Sequence, residues 1–134
     1  MVEEVMIRSS RSAAQMMFSE PKPPGVSRGV DYCRVTLKSR EIATSSARIF
    51  EPVGAAVLFA EMAAESGGWE GEKQWSSLDE DFALSCAYDA GSAAVAVTLR
   101  GPYHEGEWCV QAVIHVEASR LGEVAAQLKR FMHL

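Results

Sequence analysis

The sequence contains no apolar run that approaches the roughly 20 residues that a helix needs to cross a bilayer. The longest candidate is the Ala-rich stretch 53–64, which is too short and carries Glu61. Residues 1–10 (MVEEVMIRSS) begin with acids and lack the apolar core of a secretory signal. We therefore expect a cytoplasmic protein with no role at a membrane.

Cysteine is scarce, with only Cys33, Cys86 and Cys109 in the chain. Their number is odd and their spacing is wide, unlike the disulfide framework of a small secreted domain. Each lies in an apolar, strand-like pattern. The sequence therefore predicts three buried free thiols in a reducing compartment.

Motifs for catalysis and cofactor binding are also absent. The sequence has no GxxxxGK[ST] phosphate loop, no GxSxG nucleophile turn, no HExxH and no CxxC, and no GxGxxG follows a strand. We therefore predict a non-enzymatic protein with no catalytic residues, no metal and no cofactor.

Positive charge is in short supply, since the formal net charge is -5 at pH 7. This disfavours nucleic acid as the partner, because phosphate binding requires a basic surface. Residues 61–81 hold seven acids against Lys73 alone, and the rest of the chain is nearly balanced. The acidic excess is therefore concentrated in one stretch, which becomes the first candidate for contact with a basic partner.

The residues that are present predict an α+β fold in a single domain, 1–134. Alternating apolar residues indicate an antiparallel sheet of about eight strands, arranged largely as a meander. A mid-chain helix is predicted at about 53–66, because a proline precedes this stretch and a glycine pair follows it. A C-terminal helix is predicted at about 119–132 from an apolar stripe with helical spacing. Prolines and glycines predict a long exposed loop at 19–30.

The stretch from Trp69 to Tyr88 combines two tryptophans with the densest acid cluster in the chain. Alternation over residues 72–77 places Trp75 in the core, whereas Trp69, flanked by Gly68 and Gly71, is left available for a surface. An acidic patch beside an exposed aromatic could steer and anchor a basic protein. The candidate partner-binding residues are Trp69, Glu70, Glu72, Asp79, Glu80 and Asp81. The alternative is a solvated acidic turn beside two tryptophans that fill the core.

A second candidate site is the pair His115 and Glu117, two residues apart on one face of a predicted strand. A His–Glu pair at this spacing, about 7 Å, could bind a metal or carry out acid–base chemistry. The alternative for His115 is an ordinary residue on the polar face of the strand. If the pair is functional, it predicts a small-molecule or metal-binding pocket lined by the sheet.

The segment 68–79 (GWEGEKQWSSLD), with the later Asp89, Gly91 and Trp108, resembles a family of small bacterial proteins of unknown function, mainly actinobacterial. It is more distantly similar to the WapI-type immunity proteins of polymorphic toxin systems. The resemblance covers roughly residues 50–134 and implies no catalytic residues in this chain. It implies a non-enzymatic protein that could neutralise a toxin by binding it. A homodimer formed through an edge strand is left open.

Overall fold

The computed structural model describes residues 3–22, 29–101 and 107–134 of the chain. Within them it contains eight strands and two helices, which confirms the predicted α+β class. In chain order they are β1 (Glu4–Arg8), β2 (Gln15–Lys22), β3 (Tyr32–Lys38), β4 (Ser45–Phe50), α1 (Val53–Ala64), β5 (Glu72–Ser76), β6 (Phe82–Asp89), β7 (Ser92–Gly101), β8 (Trp108–Glu117) and α2 (Leu121–Phe131).

The eight strands are divided between two four-stranded antiparallel sheets rather than joined in one. Their orders are β1-β2-β3-β4 and β5-β6-β7-β8, so each sheet is a simple meander. Helix α1 follows the first sheet and helix α2 follows the second, and the two helices pack against each other. The chain therefore consists of two halves with the same order of elements, four strands and then a helix.

Both helices lie where the sequence predicted them, with small differences at their ends. Helix α1 begins after Pro52 and ends at Ala64, two residues before the predicted end at residue 66. Helix α2 begins at Leu121 because residues 118–120 form a turn of 3-10 helix. Each helix buries an apolar face.

The predicted exposed loop at 19–30 is shorter than its proline and glycine content indicated. Strand β2 continues to Lys22, with a register shift between Ser19 and Lys22. This irregularity allows Pro21 to lie within the strand, because a bulged position needs no ladder hydrogen bond from its nitrogen. Gly29 and Val30 are buried. Residues 23–28 lie outside the described part of the chain.

The core is shared between the two halves. Alternation along each strand sends one apolar row inward, and both sheets and both helices contribute to one buried cluster. Phe18 of β2 makes edge-to-face contacts with Phe82 of β6, at a 5.8 Å centroid distance, and with Phe131 of α2, at 6.1 Å. Such pairs add to the stabilisation from burial alone. The aromatic contacts therefore join the first sheet to the second sheet and its helix.

Hydrogen bonds outside the sheet ladders also join the halves. The turn after β1 docks on β8, where the backbone N–H of His115 donates to the hydroxyl of Ser9 at 3.1 Å. In return, the backbone N–H of Ser10 donates to the carbonyl of His115 at 2.9 Å. The next residue, Arg11, forms an ion pair with Asp89 at 3.0 Å. The last residues of β8 are therefore held by the first sheet.

Among the described residues, neither helix has the length and apolar composition required to cross a membrane.

Candidate functional site

The acidic stretch surrounds β5, the terminal strand of the second sheet. Glu70 lies in the turn before β5 and Glu72 is its first residue, and both are exposed. Gly71, between them, has a φ of 71°, a conformation that glycine adopts without strain. The alternation in β5 points Glu72 and Gln74 toward the outer face of the sheet and Lys73 and Trp75 toward the core.

Trp69 is partly buried rather than freely exposed. Its indole N–H donates to the carbonyl of Cys86 at 3.1 Å, and its ring meets Tyr88 edge-to-face with centroids 5.4 Å apart. The ammonium group of Lys73 lies 5.7 Å from the ring centroid and forms an ion pair with Glu65. Trp69 therefore packs the turn before β5 against strand β6.

The three consecutive acids form the loop between β5 and β6, and their environments differ. Asp81 is only 5% exposed and accepts the hydroxyl hydrogen of Ser77 at 2.6 Å. The same Ser77 oxygen accepts the backbone N–H of Phe82 at 3.1 Å. Asp79 is half-buried, whereas Glu80 is exposed. Asp81 therefore organises the loop from inside, and Glu80 faces solvent.

The tip of this loop carries Leu78, whose side chain is 74% exposed. It is the most exposed of the large apolar side chains in the described part of the chain. We define the acidic edge as four exposed residues in or near β5: Glu70, Glu72, Leu78 and Glu80. Glu80 lies beside this tip, whereas Glu70 and Glu72 lie at the opposite end of β5.

His115 and Glu72 share the outer face of the second sheet. The strand register aligns Glu72 with Ala87, Ala87 with Ala94, and Ala94 with His115. Three steps between strands, at about 4.8 Å each, separate Glu72 and His115 by roughly 14 Å. Glu72 and His115 thus lie on the same face but are too far apart to hold one metal ion.

A shallow cavity of about 610 Å³ lies on this outer face. Amide and hydroxyl side chains dominate its lining: Gln74, Ser76, Ser85, Thr98 and Gln111. Neither His115 nor Glu117 lines it. The alternation of each strand predicts which of the lining residues point to the outer face. Whether they come together in one cavity depends on the register between the strands, which could not be predicted from the sequence.

Metal binding by the described residues finds no support in the geometry. Among residues 3–22, 29–101 and 107–134, no three His, Cys, Asp or Glu side chains come together in a group that could hold an ion. His115 is half-buried, and its backbone groups join the first sheet as described above. Its observed contacts are therefore structural.

The thiols differ from the prediction at one position. Cys33 and Cys86 are buried as predicted, and burial raises the pKa of each to about 12, with a further contribution from the negative charge of Glu72 at Cys86. Cys109 is exposed, so the prediction of three buried thiols was wrong there. Cys109 lies opposite the exposed Arg100 in the β7–β8 register, and the alternation of the two strands places both on the outer face.

Comparison with known proteins gives a family but no function. No curated protein matches the chain. The model of a family of unknown function (DUF6228) matches residues 7–134 and so spans both halves of the fold. The chain therefore belongs to this family of unknown function, DUF6228.

Proposed function

We propose that this protein is a non-enzymatic, cytoplasmic binder of a basic protein partner, of the immunity type, and that it docks through the acidic edge. The observation that carries the proposal is the position of the acidic excess. Glu70, Glu72 and Glu80 are exposed around a terminal strand, whereas Lys73, the one base of the stretch, is engaged with Glu65.

The chemistry of this surface suits recognition of a basic protein. Exposed carboxylates around one strand attract a basic surface and accelerate its association, and Leu78 offers an apolar contact at one end of the strand. Strand β5 is also a sheet terminus, where a partner strand can add its own backbone hydrogen bonds. Two of the predicted partner-binding residues, Trp69 and Asp81, support this surface from within.

The test begins with the protein that co-purifies from the native cell, identified together with the product of the neighbouring reading frame. Its affinity for this chain is then measured by calorimetry at about 0.05 M and about 0.5 M salt, where screening differs strongly. We expect binding to weaken at least tenfold at the higher salt concentration. Salt-insensitive binding would count against an electrostatic interface.

Charge reversal locates the interface. The double variant Glu70→Lys/Glu72→Lys should weaken binding at least tenfold. The matched control, Glu3→Lys/Glu4→Lys, changes the net charge equally at two exposed acids near the start of β1 and should bind almost normally. Equal losses in the two variants would show that only the net charge matters and would contradict a docking site at the acidic edge.

A second candidate function is supported by the cavity on the outer face of the second sheet. Its amide and hydroxyl lining suits a small, uncharged polar molecule. Replacing Ser85 by Leu at the centre of this face should then abolish the binding of a co-purifying small molecule while leaving the basic partner bound. Native mass spectrometry of the purified protein, with and without this substitution, distinguishes the two functions.

A further inference from the structure

The geometry points to an anion-binding site at the junction of the two sheets. A cavity of about 370 Å³ lies between β4 and the adjoining ends of β7 and β8, and we call it the arginine groove. Its lining includes Arg34, Ser46, Arg48, Asp81, Arg100 and Trp108. We propose that it binds a small anion that carries two or more negative charges, a phosphate compound or a polycarboxylate.

Arg34 and Arg48 lie directly opposite each other on the paired strands β3 and β4. Like charges in direct cross-strand register destabilise a sheet. Arg34 is partly compensated, because its Nε donates to Glu20 at 2.7 Å and a terminal nitrogen donates to the hydroxyl of Ser46 at 3.3 Å. Its remaining donors are available to an anion, which would turn the unfavourable pair into a favourable site.

Arg48 is held in place by an aromatic ring. Its guanidinium carbon lies 3.9 Å from the ring centroid of Tyr32, in a cation–π contact that leaves the edge of the guanidinium group able to donate. Within the described residues, neither Arg48 nor Arg100 forms an ion pair. In the described part of the chain these two arginines line one cavity with no paired carboxylate, and a bound anion would supply the missing negative charge.

A neighbouring cavity of about 210 Å³ shares Arg34 and Arg48 with the arginine groove and adds Lys22. Among the described residues that line the two cavities, the bases are Lys22, Arg34, Arg48 and Arg100, and the acids are Glu20 and Asp81. Asp81 accepts its short hydrogen bond from Ser77. The groove is therefore locally positive on a protein whose net charge is -5, and a concave basic site of this kind attracts anions.

Trp108 gives the groove a flat apolar wall. Its ring packs over Gly101, its partner on β7, where a side chain would overlap the indole. This contact fixes the ring at the wall of the groove without using any of the arginine donors. The groove thus offers several charged donors and one rigid apolar surface, a combination suited to a small multiply charged ligand.

The test uses inorganic pyrophosphate and citrate as probes, each titrated calorimetrically into the full-length protein at constant ionic strength. We expect saturable binding of at least one probe. Pyrophosphate alone would assign the site to phosphate compounds, citrate alone to polycarboxylates, and both to polyanions in general. If neither probe binds, the proposal is overturned.

Two variants test whether the probe binds in the arginine groove, Arg48→Gln and Arg100→Gln. Each removes a charged donor and should weaken binding at least tenfold. Lys38→Gln is the control, because Lys38 is exposed on β3 and lines neither cavity. An equal loss in the control would show diffuse charge attraction and overturn the site. These arginines are not part of the acidic edge, so the result is independent of the proposed partner binding.

Discussion

The indole ring of Trp75 packs directly against the backbone of Gly54, so that strand β5 and helix α1 meet where there is no room for a side chain. On its other side Trp75 contacts Phe82 edge-to-face, with ring centroids 5.5 Å apart. Glycine is normally unfavourable inside a helix. Here it lets a helix approach the strand that carries the acidic edge.

Gly54→Ala should therefore destabilise the protein, although alanine is the better helix former. The new methyl group would overlap the Trp75 ring, and overpacking of this kind costs about 1–3 kcal/mol. Gly122→Ala is the matched control, since no atom lies within 4 Å of the added methyl in helix α2. It should stabilise by up to about 1 kcal/mol. Urea unfolding of both variants measures the difference, and equal effects would contradict the contact.

Ser77→Ala should destabilise the loop that presents Leu78 and Glu80. It removes the donor to Asp81 and the acceptor for the N–H of Phe82, and it leaves a buried carboxylate without that partner. The expected cost is about 2 kcal/mol or more. Ser76→Ala, at the exposed neighbouring position, should cost less than about 0.5 kcal/mol. Chemical denaturation checks both, and a neutral Ser77→Ala would show that the loop is held by other contacts.

The three thiols should differ in reactivity. Cys109 is exposed and should react with a thiol reagent in the native protein, whereas Cys33 and Cys86 are buried and protonated and should react only on unfolding. A colorimetric titration should therefore count one thiol without denaturant and three with it. Cys109→Ser is the control and should abolish the native reaction. Two or more reactive native thiols would contradict the described burial.

The raised pKa values of Cys33 and Cys86 predict a loss of stability at high pH. In the unfolded chain each thiol ionises near its ordinary value of 9.0, whereas in the native protein it holds its proton until about 12. The unfolded state therefore binds fewer protons between these values, and the free energy of unfolding falls as the pH rises. Below about pH 8 both states are protonated and the thiols contribute no pH dependence.

Cys86→Ala isolates this effect. Between about pH 8 and about pH 10, each buried thiol should reduce the free energy of unfolding by about 1.4 kcal/mol. The wild type and the variant share every other side chain, so the decrease should be smaller in the variant by about that amount. Denaturant unfolding at the two pH values measures it. Equal decreases in the two proteins would contradict burial of Cys86 in the neutral form.

The local pattern of the fold could be predicted from the sequence, because alternation and turn residues are local signals. The inward row of β8, which includes Ile114 and Val116, and both helices follow from spacing alone. The same alternation places Cys109 on the outward face. Cys109 was nevertheless predicted to be buried because its neighbours in the sequence are apolar, and that prediction was wrong. The division into two sheets is a tertiary property that no local spacing encodes.

The candidate site was predictable in position but not in detail. The acidic edge follows from the charge count, yet whether Asp81 faces solvent depends on a hydrogen bond to Ser77 inside one loop. Trp69 was expected at the surface because glycines flank it, and its bond to Cys86 could not be inferred. The arginine groove was missed because Arg34, Arg48 and Arg100 are distant in sequence and meet only through the strand pairing.

The shared core has a consequence for the cooperativity of the molecule. Because Phe18 touches Phe82 and Phe131, neither half can unfold without exposing aromatic surface of the other to water. The arginine groove likewise draws Arg34 from one half and Arg100 from the other. A ligand bound there would hold the two halves together and, by mass action, stabilise the folded form of the adjoining loop that carries Leu78 and Glu80.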